Sequence, residues 1–226
     1  MELAGLLGVR PGVTAVIGSG GKTTLLRTLG TALAAEGHRV LLCTTTKIYP
    51  FAKIQTLRSP TEEALAAALD RERLICAGTP LEGSGKLTAP QVPMARLAAL
   101  AEYVLVEADG AAGRPLKAHA AHEPVIPAEA ARVICVAGVS GFGLPIMETT
   151  HRPERFAQLA AASVQDSATP ENTARVLRAE SLAQQYFFNQ ADTPERWEWA
   201  RRCGRELQCP SLMGALRKGE YGTCWL

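Results

Sequence analysis

Seven consecutive residues, Gly18-Ser19-Gly20-Gly21-Lys22-Thr23-Thr24, constrain this chain more than any other stretch. An apolar run, Val13–Ile17, leads into them, and Leu25, Leu26, Leu29 and Leu33 follow on one helical face. A strand that feeds a helix through such a turn is the context that marks a phosphate loop. Glycines let the backbone approach phosphate oxygens with no Cβ in the way. The amides of the loop and of the first helical turn point inward, and the helix dipole favours negative charge there. Lys22 is expected to reach the terminal phosphates of a nucleoside triphosphate, and the Thr23 hydroxyl to ligate magnesium. Gly18, Ser19, Gly20, Gly21, Lys22, Thr23 and Thr24 are thus the candidate phosphate-binding set. The longer form of the pattern has a glycine where Val16 stands, so this loop is the compact Gly-x-x-Gly-Lys-Thr-Thr form. A similar stretch, Gly83-Ser84-Gly85-Lys86, lacks the following hydroxyl residue, and Pro90 blocks a helix there, so it reads as a turn.

Apolar runs alternate with helical patterns along the chain, which predicts an α/β fold: a mostly parallel sheet with helices on both faces, P-loop nucleoside triphosphate hydrolase-like. The expected strands are Val13–Ile17, Arg39–Cys43, Arg73–Ala77, Tyr103–Val106, Arg132–Ala137 and Tyr186–Asn189. Several are unbroken apolar runs, as in strands covered on both faces. Gly37 offers a stop for the first long helix. Ser59-Pro60-Thr61-Glu62 reads as a capping box with proline at the first helical position, and Thr169-Pro170 and Thr193-Pro194 read as further cap-plus-proline starts. With 226 residues, one P-loop domain over residues 1–226 is expected, with a loop or hairpin insertion at about 78–93.

Tyr103–Val106 is followed by Glu107-Ala108-Asp109-Gly110. An acidic strand end is where phosphate-loop enzymes hold magnesium. Glu107 and Asp109, two residues apart, project to the same side of an extended chain. One carboxylate would order the metal while the other orients an attacking water, which makes Lys22, Glu107 and Asp109 the candidate catalytic residues. The second strand ends in Thr44-Thr45-Thr46, and Thr45 is a candidate to complete a metal shell with Thr23 and Glu107. Asn189-Gln190-Ala191-Asp192 is similar to the Asn-Lys-x-Asp element of GTP-binding proteins. The Asp192 carboxylate would accept from guanine N1 and N2, while Asn189 braces the loop or reaches the other edge of the base. Adenine lacks that donor pair, so GTP is expected over ATP. A plain turn before the Thr193 helix is the competing reading.

Apolar residues make up 47% of the chain, charged residues 20%, and the net charge is +2. That charge is too small and too evenly spread to suggest nucleic acid or an anionic membrane. No apolar run nears the roughly 20 residues of a membrane span, and no export signal opens the chain, so a cytoplasmic protein is expected. Cys43, Cys76 and Cys135 sit in apolar runs, and no Cys-x-x-Cys pair exists, so reduced structural cysteines are expected. A reactive thiol at Cys224 is the lesser alternative. Arg114 and Lys117 are candidates for contact with phosphate or an anionic partner. His119 and His122 have metal-like spacing but no evident third ligand, and His151-Arg152 precedes a helix as interface or cap.

Taken in order, the compact loop, Glu107-Ala108-Asp109-Gly110, Pro115-Leu116-Lys117, Glu123-Pro124-Val125-Ile126-Pro127 and Asn189-Gln190-Ala191-Asp192 resemble the selenium-dependent hydroxylase accessory proteins of the YqeC type. The resemblance spans roughly Gly12 to Asp192. It implies a cytoplasmic bacterial factor linked to the maturation of molybdenum hydroxylases that carry a labile selenium. A molybdenum hydroxylase, or one of its cofactor-maturation proteins, would then be the partner. Two other readings stay open: a small-molecule kinase or ATP-dependent transferase, and a nucleotide-gated binding module without catalysis.

Overall fold

The computed structural model describes residues 2–225. Its elements in chain order begin with α1 (Glu2–Leu6), β1 (Gly12–Gly18), α2 (Lys22–Ala35), β2 (Val40–Thr44), β3 (Gln55–Arg58), α3 (Glu62–Glu72), β4 (Leu74–Leu81) and β5 (Lys86–Thr88). There follow α4 (Met94–Leu100), β6 (Tyr103–Glu107), β7 (Leu116–Lys117), β8 (Ala130–Gly138), α5 (Ile146–Thr149), β9 (Thr150–His151) and α6 (Pro153–Ala160). The last are α7 (Pro170–Glu180), β10 (Gln185–Asn189), α8 (Pro194–Leu207), β11 (Ser211–Ala215) and β12 (Glu220–Trp225). The class is α/β, with mostly parallel strands flanked by helices, as in P-loop nucleoside triphosphate hydrolase-like folds.

The chain divides into two compact units. The first comprises the chain up to Val16, Thr23–Asp109 and Val125–Val133. In it β1, β6, β2, β4 and β3 lie side by side in that order, all parallel, and β5 returns antiparallel along β4. Every residue of β2 and β6 is buried, which is why both read as solid apolar runs. Leu25, Leu26, Leu29 and Leu33 of α2 are buried on one face. Each contributes about 1.5–3 kcal/mol relative to an exposed side chain. Val13, Leu41, Leu65, Leu69, Leu97 and Val104 belong to a further cluster that fixes α3 and α4.

Two expectations change here. The α3 helix does not start from Ser59. Ser59 takes a positive φ of 47°, and Thr61 is the cap, its hydroxyl accepting from the Ala64 amide at 3.3 Å. Pro60 therefore precedes the cap and does not open the helix. The strand expected at Arg73–Ala77 runs on to Leu81 and pairs with β5 around a turn at 82–85, so the stretch at about 78–93 takes the hairpin form of the two expected.

The second unit comprises Ile17–Lys22, Gly110–Pro124 and the chain from Ile134 onward. Its strands run in the order β8, β10, β11, β12, the first three parallel and β12 antiparallel. Phe187 and Phe188 of β10 are fully buried, as is Phe156 of α6. Both expected cap-plus-proline starts form. Thr169 caps α7 in a reciprocal box with Asn172, and Thr193 caps α8 through the Arg196 amide. The strands β11 and β12 carry no signal that sequence periodicity picked out.

Candidate functional site

The glycine loop leaves β1 at Gly18 and enters α2 at Lys22. Within the second unit it is pinned by backbone contacts. The Ser19 amide donates to the Val136 carbonyl at 2.8 Å, and the Ser19 hydroxyl to the Pro115 carbonyl at 2.9 Å. Both Ser19 donors thus anchor the loop. Gly20 has φ of +80°, and a Cβ there would sit 2.5 Å from Gly138 and 2.8 Å from the Pro115 carbonyl. Only glycine fits, for conformation and for space. The Lys22 ammonium donates to the Gly18 carbonyl at 2.6 Å, so its side chain folds back along the loop. Thr23 and Thr24 follow it in the first turn of α2, where backbone amides have no helical acceptor.

Asn189 closes the other side of the loop. It ends β10 opposite Gly138 and is buried. Its amide nitrogen donates to the Gly20 carbonyl at 2.8 Å, and its oxygen accepts from the Leu216 amide at 3.2 Å. The adjacent Gln190 oxygen accepts from the Ser140 hydroxyl at 2.5 Å, with the Gln190 backbone at a φ of +66°. Asp192 is not drawn in with Asn189. It is exposed, its carboxylate lies 3.7 Å from Arg196, and its carbonyl accepts from Lys218 at 2.8 Å.

In the first unit Val16 of β1 and Thr44 of β2 both lie opposite Glu107. Parallel strands put these three positions on one edge, the carboxyl edge where ligands of α/β folds bind. The Thr23 hydroxyl donates to the Glu107 carboxylate at 2.9 Å. The main chain of Glu107 is held as well: its carbonyl accepts from the Thr44 hydroxyl at 2.7 Å and from the Thr45 amide at 3.2 Å. The Thr45 side chain does not join Glu107; it donates to the Val125 carbonyl at 2.7 Å. Asp109 is fully buried.

Thr23 and Glu107 fit a magnesium ion on their separation. Two ligands at right angles, each about 2.0–2.1 Å from an octahedral ion, stand about 2.9 Å apart. The hydroxyl and carboxylate oxygens are 2.9 Å apart, and both are the hard donors magnesium takes.

Segment Gly110–Pro124 of the second unit carries a separate charged group. Lys117 is buried and donates to the Gly110 carbonyl at 2.5 Å and to Glu123 at 2.8 Å. Arg152 donates to both Glu123 oxygens, at 2.7 and 3.0 Å. Burial alone would raise the Glu123 carboxyl, but the hydrogen bonds and charges of Arg152 and Lys117 outweigh it and hold it at about 2. The expected phosphate contact for Lys117 gives way to this structural role. Arg114 donates to the Glu148 carbonyl, and His122 is exposed. Arg152 caps α6 with its left-handed backbone, not its side chain.

Burial pushes the thiols of Cys43 and Cys203 up, and those of Cys76 and Cys224 to about 12, although Arg201 and Ser211 act the other way on Cys224. Cys224 therefore stays protonated at neutral pH, which removes it as a reactive thiolate. Among the described residues no helix is long and apolar enough to cross a membrane.

Gly138, Ser140 and Leu216 stand against the loop or against Asn189 and Gln190 beside it, without having stood out in the sequence. Gly138 acts by close approach and Leu216 through its backbone amide, which residue type does not advertise.

The sequence profile of the family described as YqeC protein matches residues 14–154, from the loop strand through the start of α6. The chain is also 29% identical over 229 residues to "Uncharacterized protein YqeC" of Escherichia coli (strain K12), covering 96% of this chain and 87% of that protein. The chain belongs to the YqeC protein family.

Proposed function

We propose that this protein binds GTP with magnesium and hydrolyses it slowly, as an accessory factor in the maturation of selenium-dependent molybdenum hydroxylases. The observation that carries the reading is the 2.9 Å hydrogen bond between Thr23, in the helix turn that follows the glycine loop, and Glu107 at a strand end. A hydroxyl and a carboxylate so placed are the pair a phosphate-bound magnesium needs. The amides from Gly20 to Thr24 and the Lys22 ammonium take the phosphates. Thr23 and Glu107 hold the metal, which supplies charge neutralisation on the terminal phosphates. Asp109 orients the attacking water. Thr45 stays outside the inner metal shell, since its hydroxyl serves the Val125 carbonyl.

Support for guanine comes from Asn189, which ties the Asn189–Asp192 element to Gly20 of the loop inside one unit. Asp192 lies just beyond, exposed and ready to accept from guanine N1 and N2. The setting, with a molybdenum hydroxylase or a cofactor-maturation protein as partner, rests on the resemblance of the chain to YqeC-type accessory proteins.

Turnover of magnesium–GTP tests the catalytic half of this reading. Glu107→Gln should lower the rate by roughly 10²-fold, the scale of losing a positioned charge-stabilising group. Hydrolysis at the wild-type rate in that variant would remove Glu107 from the chemistry.

A further inference from the structure

The parallel pairing of β8 with β10 ends at Gly138 and Asn189, which lie opposite each other. Both strands then turn. Val139–Gly141 forms one turn of 3-10 helix, and Gln190 leaves β10 with a left-handed φ of +66°. Past the end of the ladder a side-chain bond ties the two turns: the Ser140 hydroxyl donates to the Gln190 side-chain oxygen at 2.5 Å. Gln190 is half-buried, and a Cβ on Gly138 would collide with that same oxygen. We propose that Gln190 is a positioning residue: through Ser140 and Gly138 it fixes the shape of the glycine loop that takes the phosphates, and it does not touch the base. This role rests on the reading of that loop as the phosphate site.

The path from Gln190 to the loop is short, and every group on it belongs to the second unit. A Cβ on Gly138 would stand 3.0 Å from the Gly20 Cα, and one on Gly20 would stand 2.5 Å from the Gly138 Cα. The Gly138 amide donates to the Pro115 carbonyl at 2.8 Å, and that carbonyl also accepts from the Ser19 hydroxyl at 2.9 Å. The Ser19 amide is held by the Val136 carbonyl, two residues before Gly138 on β8. Packed backbones in contact transmit a displacement, so a shift of the turn after β8 moves Gly20 and loosens the Ser19 anchors with it. Asn189 reaches Gly20 directly, and Gln190 reaches it through Gly138.

Gln190 lies inside the Asn189–Asp192 element, so contact with the base is the alternative role. Its side-chain oxygen is turned to Ser140 and Gly138 instead. The two roles differ in what they affect. A positioning residue acts on every ligand that uses the loop, with or without a base, whereas a base contact acts on nucleotides alone.

The test uses the full-length protein, with magnesium–tripolyphosphate, which has no base, and magnesium–GTP as calorimetric probes. Gln190→Ala should weaken both by the same factor, about three- to tenfold, the scale of one lost hydrogen bond. Ser140→Ala should do the same, and the double variant should be no worse than either single one, since all three remove one bond. Native-state hydrogen exchange without nucleotide reads the loop itself. Exchange at the Ser19 amide should rise by about three- to tenfold in Gln190→Ala and return in Gln190→Glu, which keeps the acceptor oxygen. The Thr173 amide, bonded to the Thr169 carbonyl in α7, should keep its wild-type rate, since only a general loss of stability would raise it. Unchanged tripolyphosphate affinity in Gln190→Ala, with or without a loss for GTP, would overturn the proposal, as would an unchanged Ser19 rate or a rise shared by Thr173. A wild type that binds neither probe would end the nucleotide reading and the proposal together. Where the wild type binds and Gln190→Ala matches it, only the positioning role fails.

Discussion

Asn189 holds two backbone groups at once, the Gly20 carbonyl and the Leu216 amide, from a buried position. Truncation would strand both, and an unsatisfied buried polar group costs about 1–3 kcal/mol. Asn189→Ala should therefore lower the free energy of unfolding, read from urea titration, by a margin of that order, and an unchanged value would contradict the bracing role. The residue type pointed to Asn189, but not to its partners, because a carbonyl and an amide belong to every residue. Glu123 gives a prediction in pH. Its carboxyl is held at about 2 against an ordinary value of 4.5, so its ionised form is favoured by folding. The stability it contributes is present above about pH 4.5 and is lost as pH falls toward about 2. Glu123→Gln should flatten that acid limb of the stability curve, and an unaltered limb would contradict the assignment. Sequence made Lys117 a candidate for contact with phosphate or an anionic partner. Buried Lys117, paired with half-buried Glu123, which Arg152 also holds, shows the more local use.

At the level of elements, the proposed preference for guanine rests on β10 and the turn after it. Asp192 follows β10 by three residues and stands exposed beside Arg196. Asp192→Asn places a donor where guanine needs an acceptor. Losing a charged hydrogen bond costs on the order of 1.5–3 kcal/mol, or roughly 10- to 150-fold in affinity. GTP should weaken by that factor, and xanthosine triphosphate should improve relative to it. A loss of stability with no change in base preference would favour the turn-only role. The strands legible in the sequence, such as β2 and β6, are those buried on both faces, whose apolar runs need no periodicity. β3, Gln55–Arg58, is polar and half-exposed, and β12 mixes exposed and half-buried residues, so neither forms an apolar run. β11 is wholly buried, but five residues with an internal glycine give too short a pattern. The displaced start of α3 has a similar local cause. Ser59 and Thr61 are both good cap types, and only the left-handed backbone at Ser59 decides between them.

For the molecule as a whole, the class was written into the alternation of apolar runs and helical patterns, and family membership agrees with the motifs in their order. The division into two compact units was not legible, since no linker composition marks it and β1 and β8 each run through a boundary. The glycine loop itself crosses from one unit to the other between Lys22 and Thr23. Nucleotide binding is the claim on which the rest of the account depends. The most direct test is calorimetric titration of magnesium–GTP into the wild type and into Lys22→Ala, with circular dichroism to confirm the fold of both. The account predicts saturable binding to the wild type, weaker binding of ATP and CTP, and no measurable binding to Lys22→Ala. Equal GTP affinity in the two proteins would contradict it.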